Sequence, residues 1–214
     1  VQSRSVQGEN DGILRIFRAS DTLPKFKGFY FGDIHYHCLS ASKAESVGAP
    51  LLFSSQAAQA LGLRFFAATD HSHDLEDGEG PESVEGTGKW DMFRATVDSL
   101  NSDNEDVIIL PGEEVKCKNH RGRDVDLIII NYPEFIRGSH GGSVQEKRHD
   151  SNLKELLGRV GSAAATFAVH PIRQTSIYEK LFLGKGRWSK FDLTLAGLTG
   201  MQIYDGMNEY FLDK

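Results

Sequence analysis

Cysteine is scarce: Cys38 and Cys117 are the two in 214 residues. Two thiols make no disulfide framework, so an apolar core has to hold the fold. They suit a reducing compartment, and a cytoplasmic location is the expectation. No apolar run approaches the roughly 20 residues that span a bilayer, so no membrane partner is expected. A basic excess is missing too: 24 Lys and Arg stand against 30 Asp and Glu, a formal net charge of −6. A net-negative chain is not built to grip a long phosphate backbone, which argues against extended nucleic-acid binding. It can take a small anionic substrate where a metal or a local basic pocket supplies positive charge. No signal peptide is read at the start, which says little in a chain that opens on Val1, and no internal repeat or low-complexity tract is read along it. The chain opens on Val1 rather than Met, and a processed or trimmed piece of something longer is the expectation.

What is present is the composition of a folded domain, 39% hydrophobic and 25% charged, at a length that suits one large core. Residues 1–11 are polar and expected to be poorly ordered. Ile13–Phe17 alternates like a short strand. From Phe29 a strand-then-helix order begins. Strands are predicted over 29–38, 64–70, 107–110, 125–131, 165–170 and 201–204 from short apolar runs. Helices are predicted over 50–62, ending at a glycine, over 90–100, and over 151–160 behind a serine cap. Residues 74–88 and 133–150 read as polar loops. This alternation argues for parallel strands wrapped by helices, an α/β barrel or open sheet.

The chemistry lies at the strand ends. In Asp33-Ile34-His35-Tyr36-His37 alternate side chains share a face, so His35 and His37 point one way with Asp33 beside them, and Ile34 and Tyr36 face the helices. Two imidazoles at that spacing can chelate one divalent ion. Thr69-Asp70-His71-Ser72-His73 follows the apolar run 65–68, where α/β barrels carry their sites. His71 can ligate a metal, and Asp70 can orient an imidazole or hold a water. Pro111-Gly112-Glu113-Glu114 offers a carboxylate able to bridge two cations. Which glutamate points inward is a question of parity. His120 precedes the buried run 125–131, and His170 closes the strand Ala165–His170. There are eight histidines, and His35, His37, His71, His120 and His170 all fall at predicted strand ends. Imidazole with carboxylate suits Zn, Mn or Fe.

These motifs, Gly32-Asp33-Ile34-His35-Tyr36-His37, Thr69-Asp70-His71, Gly112-Glu113-Glu114 with His120, and His170-Pro171, resemble in order those of the PHP (polymerase and histidinol phosphatase) domain. The resemblance covers residues 29–206. It implies an α/β fold, a distorted barrel of seven β/α units with two or three divalent metals (Zn, Mn or Fe) at the strand ends. It further implies that His35 and His37 hold one metal and that Glu114 bridges it to a second. His120 and His170 would complete the second site, and His71 would serve a third. The pattern departs twice. Lys43 stands where the family often has a further His or Asp, and no Asp-x-His triplet follows His170. The expectation is therefore a metallohydrolase domain over 29–214, lacking its last strand in this chain, behind an extension over 1–28.

The activity expected is hydrolysis of a phosphoester on a small phosphorylated substrate, with a hydroxide shared between two cations. Asp70 and His71 are the catalytic candidates, with His71 or His73 protonating the leaving oxygen. Arg121 and Arg173 are the leading candidates to hold the phosphate, with Arg123 and Lys43 behind them. Two alternatives stay open: an amidohydrolase-type C–N hydrolase, which also opens on His-x-His, and an inactive metal-stabilised module.

Overall fold

A computed structural model describes residues 26–38, 49–76, 88–138, 151–171 and 184–203, and the backbone alone at 2–7 and 13–18. Strands β1 (Gln2–Gln7) and β2 (Ile13–Arg18) pair antiparallel as a two-stranded sheet of their own. Residues 2–7 of the opening segment, expected to be poorly ordered, are a strand, and the rest of that segment lies outside the described residues. Backbone pairing needs no apolar side chains, only a partner edge, and β2 supplies one.

The remaining strands form one six-stranded sheet in chain order. These are β3 (Gly32–Tyr36), β4 (Phe65–Ala68), β5 (Ile108–Lys118), β6 (Asp124–Ile130), β7 (Ala165–Ala168) and β8 (Gly200–Met201). The helices are α1 (Leu51–Leu61), the short α2 (Ser72–Leu75), α3 (Lys89–Asp103) and α4 (Leu153–Val160). The α4 cap is Asn152, which accepts from the N–H groups of Lys154 and Glu155, rather than Ser151, whose hydroxyl donates to Arg137 O. The architecture is mixed α/β, with the sheet curled into a half-barrel, a coarser form than the seven-unit barrel expected.

The strands are not all parallel. β3–β4, β4–β5 and β7–β8 are, but β5–β6 and β6–β7 are antiparallel. The reason for the first reversal is legible: residues 119–123 join β5 to β6, and a parallel crossover needs a dozen residues or more. Gly122, at φ 68°, turns the chain there.

Helices cover the outer face in two patches. Leu51, Ala58, Phe93 and Val97 pack on Phe66 and Ile109. Leu153, Leu157 and Val160 of α4 pack on Val115, Leu127 and Ile129. Inside the curl a smaller apolar floor forms from Ala67, Ile128, Ile130 and Val169, with Ile34 packed against it. Burying a large aliphatic side chain stabilises by roughly 1.5–3 kcal/mol, so both faces of the central strands contribute. That explains why their sequences read as continuous apolar runs.

Ile34 lies on the inner face, and Tyr36 packs on the helix side. The expected alternation is broken by a register shift between Asp33 and Tyr36, where three steps of β3 match two of β4. An inserted residue flips parity. The Asp33 carboxylate accepts the His35 N–H at 2.9 Å, a local bond that favours such an irregularity. Asp33 accordingly lines a cavity with Tyr36 and Ser54 against α1, not the face of the histidines.

Candidate metal and catalytic site

Three consecutive strands bring the site together. β3 ends at His35-Tyr36-His37, β4 delivers Asp70-His71 just past its last residue, and β5 runs on past β4. The glutamates are therefore not beyond a strand end, as expected, but inside β5, where the chain goes straight through Pro111. Gly112 permits this close passage: a Cβ there would lie 2.9 Å from Ile129 O and 3.0 Å from Thr69 Cγ2. The N–H of Glu114 donates to Asp70 O at 2.9 Å, locking the two motifs together.

Alternation along β5 then separates the glutamates. Glu113 turns to the opposite face, where Oε1 accepts the Ile136 N–H at 2.9 Å. Burial pushes its carboxyl up to about 8, so it is neutral at pH 7. Glu114 turns to the inner face, 3% exposed. Its Oε2 meets His35 Nε2 at 3.4 Å, His37 Nε2 at 3.1 Å and His71 Nδ1 at 3.1 Å. Burial alone would raise this carboxyl, but the bonds from the three imidazoles outweigh it and hold the group well below the usual carboxylate range. Burial is the largest influence on His35 and opposes its protonation, but the bond and charge of Glu114, with the Gln202 bond and the Asp33 charge, together outweigh it and raise the imidazole. His71 is raised chiefly by the Glu114 bond, and the nearby charges of Asp126 and Asp74 add to it.

The ligand atoms of His35, His37 and Glu114 lie within 4.8 Å of one another. His35 Nε2 and His37 Nε2 are 3.1 Å apart. Two nitrogens bound at about 2.05 Å to one ion would stand roughly 2.9–3.3 Å apart at angles between right and tetrahedral. The donor set therefore fits a divalent cation in chemistry and in spacing.

Asp70 is buried, and its carboxylate accepts from the backbone N–H and the thiol of Cys38, at 2.6 and 3.0 Å. It stands 3.9 Å from His37 Nδ1. Its place is behind His37. His73 stacks on His71 with ring centroids 5.1 Å apart. His170, at φ 46°, sets its ring 5.3 Å from that of His35.

His120 is not brought to this cluster. From Glu114, β5 runs four more residues to Lys118, roughly 13 Å at the rise of a strand. On the hairpin tip His120 Nδ1 meets Asp192 Oδ1 at 2.9 Å and Ser189 Oγ at 3.3 Å, while its Nε2 accepts from Arg121 Nε at 3.2 Å. Arg121 therefore belongs to the tip as well. Arg173, Lys43, His140, His149 and Asp205 lie outside the described residues.

Two residues that sequence reading passed over do face the site. Asp126 lies two residues from Ile128 on β6, and Ile128 pairs with Glu114, so Asp126 shares the inner face. It lines a small cavity with His170, Lys185 and Trp188. The alternating Asp124-Val125-Asp126 was the available signal. Gln202 reaches His35, and nothing in the sequence marks it.

No protein-family model matches the chain. The likeness is to phosphatases and phosphoesterases. A probable phosphatase of Proteus mirabilis is 22% identical over 149 residues, covering 65% of this chain and 52% of the relative. The chain thus spans about half the length of the curated relative it matches. Among solved structures, a two-domain protein from Bacteroides vulgatus containing a predicted PHP-like metal-dependent phosphoesterase has a TM-score of 0.43 at 15% identity, covering 83% of this chain and 44% of that one. A protein from Bifidobacterium adolescentis, itself assigned by inference as a metal-dependent phosphoesterase, has 0.46 at 13%, with 82% and 77% covered. Likeness at this level assigns no residue a role.

Proposed function

We propose that the chain is a metal-dependent phosphoesterase domain whose first cation is held by His35, His37 and Glu114. The observation that carries this reading is the meeting of three imidazoles on one buried carboxylate oxygen. Three rings packed against one acceptor form a poor hydrogen-bonding group, since each ring nitrogen competes for the same lone pairs. They form a good ligand set for a divalent ion. A second cation would be held by Glu114 with Asp126 and His170, in the place that the motif resemblance gave to His120. Asp126 supports this through its ladder position and its shared cavity with His170.

Such ions, when bound, acidify a water and offset phosphate charge. The chain's own residues supply the rest. His71 is half-exposed, and the Glu114 bond favours its protonated form. It is placed to give a proton to the leaving oxygen. Asp70 acts through His37, fixing its ring. Lys185, in the wall beside His170, and Arg173 are the cations assigned to the substrate phosphate. The substrate class is a small phosphoester, as a net charge of −6 disfavours a long phosphate backbone.

The test is an assay of p-nitrophenyl phosphate and its bis ester with added Mn or Zn. The expected result is metal-dependent turnover by the wild type that His35→Ala abolishes. Equal turnover by the two proteins would sink the reading.

A further inference from the structure

Gln202 has no part in the mechanism above, yet its side chain spans two site residues. It follows β8, its backbone N–H donating to Ala168 O at 2.9 Å. Its side-chain Nε2 lies 3.2 Å from His35 Nδ1, a partner 167 positions away in the chain. Its Oε1 accepts the backbone N–H of His170 at 3.2 Å. His170 adopts φ 46°, a conformation rare for a residue with a side chain.

The two nitrogens of His35 therefore face different ways. Nε2 faces Glu114 and His37. Among the described residues, the hydrogen-bond partner of Nδ1 is Gln202 alone. We propose that Gln202 is a positioning residue. It sets the rotation of the His35 ring so that Nε2 is the nitrogen offered to a cation, and it ties that ring to the His170 turn. This inference rests on the cation site proposed above.

The chemistry follows from the imidazole. A ring that gives its Nε2 lone pair to a cation keeps its proton on Nδ1, and that N–H needs an acceptor. A turn of the terminal amide of Gln202 presents Oε1 to it. That turn withdraws Oε1 from the His170 N–H, for which the side-chain NH2 is no acceptor, so the link to the His170 turn belongs to the cation-free state. The amide thus closes the gap between the first and last strands of the curled sheet, where no backbone ladder joins β3 to β8 among the described residues.

The experiment is a cobalt(II) titration of the full chain, read by visible absorption, in wild type, Gln202→Leu and Gln202→Glu. Leu keeps the bulk and removes both hydrogen bonds, while Glu keeps the acceptor. The expected result is a cobalt affinity about 10–100-fold weaker in Gln202→Leu, and at least wild-type affinity in Gln202→Glu. Unchanged affinity in Gln202→Leu overturns the proposal. So does an equal loss in both variants, which would mean that an acceptor at this position is not what holds the His35 ring. Should Gln202→Leu fail to fold, imidazole nitrogen-15 spectra of zinc-loaded wild type decide. A His35 ring proton on Nδ1 supports the role, and one on Nε2 overturns it. Wild type that binds neither metal sinks the cation site itself, and Gln202's role with it. Metal binding without phosphoester turnover removes only the proposed reaction.

Discussion

Glu114 and Asp192 are both buried carboxylates that face histidine, and they are held in opposite ways. Asp192 accepts the backbone N–H groups of His120 and Ser189 at 3.2 and 3.0 Å, the Ser189 hydroxyl at 2.7 Å, and His120 Nδ1 at 2.9 Å. Those donors are spread over two oxygens, and half of them are main chain, so they fasten a hairpin tip to the 3-10 turn Asp192–Thr194. Glu114 Oε2 meets only imidazole nitrogens, three of them, from two separate motifs. Backbone donors cannot exchange a proton for a cation, whereas imidazoles can. A histidine beside a carboxylate is therefore structural in one region and a ligand candidate in the other, and the company of the carboxylate decides which.

The contrast breaks most sharply at Glu114. In Glu114→Gln we expect metal retention to fall by more than about 100-fold, beyond what loss of an outer partner costs. Equilibrium dialysis with elemental analysis reads it, with Asp192→Asn as the control that keeps its metal. Similar metal content in the two variants would erase the distinction.

Asp192→Asn should instead cost about 1–3 kcal/mol of stability at pH 7, because it weakens buried charge-assisted bonds. Burial by itself would raise this carboxyl, but the Ser189 and His120 bonds outweigh it and lower it in the fold. A depressed folded pKa stabilises above the unfolded value, near 4, and the contribution is lost as pH falls through the folded value. In urea titrations the gap between wild type and Asp192→Asn should therefore close in acid. A gap that widens there would reverse the account.

His120→Ala should cost less, about 0.5–1.5 kcal/mol for the lost hydrogen bonds of a partly exposed group. It should leave metal stoichiometry unchanged. A lost equivalent of metal would return His120 to the ligand set.

The smallest effect is expected at Cys117, which lies on β5 between the two regions. It is 0% exposed, and burial, with the charges of Asp126, Asp124 and Asp192 adding, pushes its thiol well up. Native protein should show no fast thiol at pH 8 with a chromogenic disulfide, from Cys117 or the equally buried Cys38. Labelling at a rate faster than unfolding would show local opening of the strand.

Much of this was legible along the chain. The run Phe65–Ala68 reads as buried strand because both of its faces are covered, and α1 and α3 fall where periodicity puts them. His35 and His37 do share the site, and parity along β5 sends Glu114 inward. Other features were not legible. The irregularity at Ile34 is one residue long, too short to disturb a pattern read over a window. The reversal at residues 119–123 hid the distance of His120 from Glu114, because His120 entered the ligand set through motif order, which carries no distance. Asp126 has only the alternation Asp124-Val125-Asp126 to mark it, and its cross-strand neighbours place it at the site, while Gln202 emerges only through the curl that brings β8 toward β3.

The residue order alone determined which chemistries were available: imidazoles and carboxylates in short motifs, buried strands to carry them, and a net-negative charge. Tertiary structure decided which of those groups meet. Spacing along one strand sets neighbours on that strand only, while ladder register and sheet curvature set neighbours across strands. That is why Glu114 joins His35, His37 and His71, and why His120 pairs with Asp192 instead.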